Sequence, residues 1–190
     1  MGLVGEKRYT YADYLHWTDG QRYELIDGIV YNKPYISSRY CQQISGAVHN
    51  QFYNYLSGKK YRIYFFPLDV RLADDEKDND EDIMTVVKPE LFICKENKVD
   101  ERGCKGVPEL IIEISSSELI GRDGQLKRNL YERYGVREYW VVDYNKNTVT
   151  VYLLNKNKQY SEPEIYTIKD IIHVSIFNNL SINLGTVFKL

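Results

Sequence analysis

A mixed β-sheet with helices on its faces is the architecture that the residue pattern predicts, and three observations carry that prediction. A helix and a tight hairpin open the chain. Short, wholly apolar runs, the mark of buried strands, recur through its middle. One of those runs is followed by a helix and a further buried run, the strand–helix–strand order that places parallel neighbours in one sheet. At 190 residues, with 43% hydrophobic and 27% charged side chains, the chain has apolar surface enough for one domain with a real core, so residues 1–190 are read as a single domain.

The elements follow in order. Thr10-Tyr11-Ala12-Asp13 has capping-box spacing and starts a short helix ending near Trp17. Arg22 to Tyr31 reads as a hairpin turning at Asp27-Gly28, with Pro34 closing its second strand. Ser37 or Ser38 caps a helix to about Leu56, with Ile44, Val48, Phe52 and Tyr55 on one face and Gly58 as its stop. Tyr61 to Leu72 is one strand and Ile83 to Cys94 another, the latter bent or bulged at Pro89. Leu110 to Ser115 is a buried strand and Arg122 to Tyr134 a helix, with Leu126, Leu130 and Tyr134 inward and Gly135 after its last turn. Glu138 to Asp143 is a second buried strand, Asn145-Lys146-Asn147 a turn, and Val149 to Leu154 the start of a strand-rich tail.

Composition excludes several classes. No apolar run approaches the roughly 20 residues that cross a bilayer, and residues 1–8 hold no signal core, so a cytoplasmic protein with no membrane partner is expected. Cys41, Cys94 and Cys104 are odd in number and form no C-x-x-C, which argues for reduced thiols and against a zinc site. The net charge is −2, but Asp74 to Asp82 holds seven acids and one base, leaving the remainder at +4 (24 bases, 20 acids). That run lacks calcium-loop spacing and reads as a solvated loop, so charge neither favours nor forbids a polyanionic substrate. His16, His49 and His173 are scattered, and Tyr139 and Trp140 read as core.

The chemistry concentrates at Glu113. In Leu110 to Ser115, strand parity puts Leu110, Ile112 and Ile114 on one side and Ile111, Glu113 and Ser115 on the other. A carboxylate inside a buried strand needs a compensating group. It is either half of a buried ion pair or part of a site. In the following helix Asp123, Lys127 and Tyr131 are spaced i, i+4, i+8, which lines them on one face; it is either a solvated surface with a weak Asp123–Lys127 pair or, since the helix packs back over its strand, a face able to meet Glu113. Glu90 offers a second carboxylate on a strand that can lie alongside. Two carboxylates and a lysine on a sheet suit one hard divalent cation and an attacking water. Arg122, Lys127, Arg128, Arg133 and Arg137 form a basic region, which follows a phosphate backbone or simply forms a helix surface.

The stretches Val107 to Ser117, Arg122 to Lys127 with Leu130-Tyr131, and Gly135-Val136-Arg137-Glu138-Tyr139-Trp140-Val141-Val142-Asp143 resemble the Uma-two family of the PD-(D/E)XK nuclease superfamily. Tyr23-Glu24-Leu25-Ile26-Asp27-Gly28 and Lys88-Pro89-Glu90-Leu91 match further motifs, so the resemblance runs from about Thr10 to Leu154. It implies a restriction-endonuclease-like core and Mg²⁺-dependent cleavage of DNA phosphodiesters, with Mn²⁺ as an alternative ion and a homodimer as the assembly. It also implies the site: Glu90, Glu113 and Lys127 catalytic, with Glu90, Glu113 and the main-chain carbonyl of Ile114 as metal ligands. Ser115 stands where a standard ExK has its lysine, which has moved to the helix as Lys127. Glu24, Ser115, Asp123 and Tyr131 form a second tier, and Asp69 is a further candidate or an exposed acid. The family's Pro-Asp is here Pro89-Glu90, one methylene longer, so a nucleic-acid-binding or accessory protein that lost turnover is the alternative.

Overall fold

The structure, a computed structural model, describes residues 7–33, 38–75 and 77–189, and within the helix after residue 116 it describes side chains from residue 124 onward. The capping box forms as expected at α1 (Tyr11–Tyr14): the Thr10 hydroxyl accepts from the Asp13 amide, and the Asp13 carboxylate accepts from the Thr10 amide. The hairpin is β1 (Tyr23–Ile26) and β2 (Ile29–Asn32), with Ile26 paired to Ile29. Its turn is Asp27-Gly28 alone, both at positive φ (53° and 75°), which matches the twist of the two strands. Pro34 and Ser37 lie outside the described residues. Ser38 takes the N-cap position of α2 (Arg39–Leu56), which buries Ile44, Val48, Phe52 and Leu56 with Tyr55 half-buried beside them.

Two expected strands are each divided. The first becomes β3 (Tyr61–Phe65) and β4 (Asp69–Arg71), the second β5 (Val86–Val87) and β6 (Leu91–Lys95). Proline is the reason in both places. Pro67 and Pro89 have no N–H to give a ladder, so each run leaves one sheet at its proline and enters the other. Next come β7 (Val99–Asp100), β8 (Gly103–Lys105) and β9 (Leu110–Ser115). The crossover helix α3 (Ser117–Tyr134) begins at Ser117 rather than Arg122, with Ser116 in extended conformation at the N-cap position. The chain closes with β10 (Glu138–Asp143), β11 (Thr148–Leu153), β12 (Glu164–Thr167), β13 (Ile171–His173), β14 (Ser181–Asn183) and α4 (Leu184–Val187).

The central sheet has the order β12-β11-β10-β9-β6-β3, with β9 and β10 parallel and its other pairs antiparallel. A second six-stranded sheet, β2-β1-β5-β4-β8-β7, and the small β13–β14 pair were not foreseen. The central sheet is the middle layer. On one face Leu110, Ile112, Ile114, Trp140 and Val142 pack under α2 and the C-terminal elements. On the other, Ile111, Tyr139 and Val141 meet Leu130 and Tyr131 of α3 together with Ile26, Val70 and Val87 of the second sheet. A smaller core of Tyr11, Leu25, Ile83 and Val86 fixes α1 to the second sheet.

The acidic run is an exposed set of turns held by its own carboxylates, with Asp78 accepting from the Asp74 and Asp75 amides, and by the Asp80–Arg102 pair. The thiols of Cys94 and Cys104 face each other across the two sheets, 2.7 Å apart. Among the described residues no helix is long and apolar enough to cross a membrane.

The second sheet is crowded at Gly103, whose φ is +128° and where an added Cβ would lie 2.1 Å from the Asp69 carbonyl oxygen. Gly103→Ala is therefore expected to lower the unfolding free energy by roughly 2–3 kcal/mol, read by denaturant titration; an unchanged midpoint would show that β4 and β8 can separate freely.

Candidate active site

Glu113 is where the layers meet. Parity sends its carboxylate to the α3 side of the central sheet, as the sequence requires, and α3 answers with two groups one turn apart. Lys127 Nζ donates to Glu113 Oε1 at 2.9 Å, and the Tyr131 hydroxyl donates to the same oxygen at 2.9 Å. The polar stripe expected on the helix thus points inward at two of its three positions; the side chain of Asp123 lies outside the described residues.

Glu24, on β1 of the second sheet, completes the arrangement. Its Oε1 accepts from Lys127 Nζ at 2.7 Å and from the Lys88 amide at 2.8 Å. A second ammonium, Lys33, one residue past β2, donates to Glu113 Oε2 at 3.2 Å and lies 3.5 Å from Glu24 Oε1. The result is a closed ring of alternating charge, Lys127–Glu24–Lys33–Glu113, joining both sheets and α3. Alternation is what lets four ionised groups share a buried place, because each has two opposite neighbours. Burial by itself would raise the Glu24 carboxyl, but the Lys127 and Lys33 ammoniums hold it down at about 2. The same two ammoniums outweigh burial at Glu113 and keep its carboxyl below the usual range. Burial and the carboxylates of Glu113 and Glu24 push the Tyr131 hydroxyl well up, so it remains a donor.

Glu90 stands apart from the ring and beside it. Strands β6 and β9 pair Leu91 with Ile112, so the same antiparallel register carries Glu90 alongside Glu113. Burial and the Glu113 charge push its carboxyl up, partly offset by Lys33 and Arg22. Glu90, Glu113, Ile114, Ser115 and Lys127 line one cavity of about 170 Å³ that also takes in Arg22, Glu24, Lys33, Cys41 and Tyr144. Within it Lys33 and Glu113 are the more open side chains (22% and 14% exposed) and Lys127 and Glu24 the more enclosed (9% and 5%). Among the described residues no three acidic, histidine or cysteine side chains converge as a ready-made metal cluster.

Other candidates go elsewhere. Asp69 is buried rather than exposed and is held by Lys88 and the Tyr11 hydroxyl in the second sheet, outside the cavity. The side chain of Arg122 lies outside the described residues; of the others, Arg133 pairs with Asp27, Arg137 with Glu109, and Arg128 lies over the Tyr152 ring, so these three do not form one free basic track. His49 packs against Tyr53 and Phe65, and His173 bonds Ser181.

Lys33 is the residue that sequence reasoning missed. Its signal was the hairpin itself: β1 and β2 pair Glu24 with Tyr31, so Lys33, two residues beyond Tyr31, shares the face of Glu24.

The family model Uma2, described as "Putative restriction endonuclease", matches residues 11–185. Among solved structures, the chain is similar to a crystal structure of "a putative nuclease belonging to DUF820" from Anabaena variabilis ATCC 29413. The TM-score is 0.72 at 16% identity, over 95% of this chain and 97% of that one, a likeness of fold. No curated protein matches the chain.

The depressed Glu24 carboxyl makes a stability prediction. Because its folded value lies below the ordinary 4.5, at about 2, its contribution is present above pH 4.5 and is lost as pH falls towards 2. Glu24→Gln is expected to cost about 3 kcal/mol at pH 7, with the gap to wild type closing over that acid range. Melting curves from pH 7 to 2 read it, and a gap of constant size would mean that Glu24 is not held charged.

Proposed function

The chain belongs to the Uma2 family, and on that premise we propose that it is a divalent-metal-dependent endonuclease acting on the phosphodiester backbone of DNA. One observation carries the reading: a Glu113 carboxylate kept charged by two ammoniums, with Glu90 beside it, in a cavity lined by both.

The donor set fits a hard cation. Glu90 and Glu113 offer carboxylate oxygens, and the main-chain carbonyl of Ile114, a residue that lines the same cavity, would be the third donor. Burial and Glu113 leave the Glu90 charge under-compensated, which is the state that a cation relieves. Two acidic side chains and a carbonyl suit Mg²⁺, which keeps several waters of its own, or Mn²⁺. When bound, the ion supplies Lewis acidity at a phosphate oxygen and lowers the pKa of a bound water.

The remaining work falls to the chain. Lys127, anchored through Glu24, orients the attacking water and offsets negative charge developing on the phosphoryl oxygens. Tyr131 holds Glu113 Oε1 through a bond that does not titrate near neutrality and so fixes the carboxylate plane. Glu24 keeps Lys127 from turning wholly onto Glu113. Ser115 shares the Glu113 face and leaves room for the lysine that arrives from α3. A second reading, a non-cleaving nucleic-acid-binding protein of the same fold, is favoured by one fact: both Glu113 oxygens are already hydrogen-bonded.

Supercoiled plasmid with Mg²⁺ or Mn²⁺ is expected to be nicked by wild type, with loss on chelation and a fall of about 100-fold or more in Glu113→Ala and Lys127→Ala. Equal, chelator-insensitive signals from all three proteins sink the nuclease reading. Retention of DNA by wild type without any cutting favours the second.

A further inference from the structure

Lys33 has surroundings that a metal ion would choose. Its ammonium is 2.7 Å from the Lys88 carbonyl oxygen, 3.2 Å from Glu113 Oε2 and 3.5 Å from Glu24 Oε1. These are one main-chain and two carboxylate oxygens, the donor chemistry of a hard cation. Glu113 Oε1 already accepts from Lys127 and Tyr131, so Oε2 is the oxygen that Glu113 would have left to offer an ion, and Lys33 sits on it. A divalent ion there would stand beside an ammonium in a poorly solvated place, where like charges are weakly screened and repel strongly. One of the two must leave.

Resting on the metal reading above, we propose that Lys33 is a resident counter-cation that divalent metal displaces from Glu113. Its position permits the exchange. It lies past the end of β2 and is the more exposed of the two lysines, at 22% against 9%. Lys127, between Glu24, Glu113 and Tyr131, stays. Without metal, Lys33 offsets the repulsion among Glu24, Glu90 and Glu113; with metal, that charge is supplied by the ion. Metal affinity is accordingly lowered by the competition with a group built into the chain.

The test needs no substrate. Reductive methylation of the wild-type protein, read by peptide mass spectrometry, is expected to modify Lys33 several-fold faster when Mn²⁺ is present, with Lys127 protected in both states. Calorimetric titration with Mn²⁺ alone is expected to show Lys33→Met binding about tenfold or more tighter than wild type, and Glu113→Gln not binding. The labelling decides even if Lys33→Met folds poorly. If wild type binds Mn²⁺ through Glu113 while Lys33 labelling is unchanged, the exchange is wrong and the nuclease reading stands. If no Mn²⁺ binding depends on Glu113, both are wrong.

Discussion

The ammonium of Lys127 is buried, and an unpaired ammonium there would be several kcal/mol too unfavourable to persist. It persists because Glu113 of the central sheet and Glu24 of the second sheet hold it from two sides. The rest of the arrangement depends on that requirement. α3 must lie over β9 so that Lys127 and Tyr131 reach Glu113. The second sheet must dock with β1 turned towards the same point. Tyr131, enclosed and bonded to Glu113, ties the charged centre to the apolar packing of Tyr139 and Leu130 around it.

The two prolines make this docking possible. At Pro67 the chain passes from the central to the second sheet, and at Pro89 it returns. The return is what delivers Glu90: it follows Pro89 directly and precedes Leu91, whose pairing with Ile112 sets Glu90 beside Glu113. A continuous strand through Val86 to Lys95 would have kept that residue in one sheet's ladder. The break places it instead at the junction of two sheets, facing a cavity. At the same junction Lys88 ties the chain to the second sheet three times, with its amide to Glu24, its carbonyl to Lys33 and its ammonium to Asp69.

A site built this way has its charges arranged before any ligand arrives. Glu24 and Glu113 are held ionised by the lysines. Glu90 is the exception, pushed up by burial and by Glu113. Glu90 reaches the cavity from the bend between β5 and β6, not from within a strand.

Much of this is legible in the sequence of residues 10–143 alone. The Asp27-Gly28 turn, the parity of Leu110 to Ser115 and the spacing of Lys127 and Tyr131 are local, set by two- and 3.6-residue periods, and each formed as read. The buried acid in an apolar strand announced that a partner was needed. Which partners came was another matter. Glu24 reaches Lys127 across 103 residues, and Lys33 reaches Glu113 across 80. No local period encodes such separations. They depend on how two sheets dock, and the docking in turn depends on where prolines send the chain from one sheet to the other. The sequence by itself determined that Glu113 would be charged, enclosed and on the α3 side. Only the tertiary structure decided that two lysines would share it, since a charge can be balanced by any cation that folding brings near.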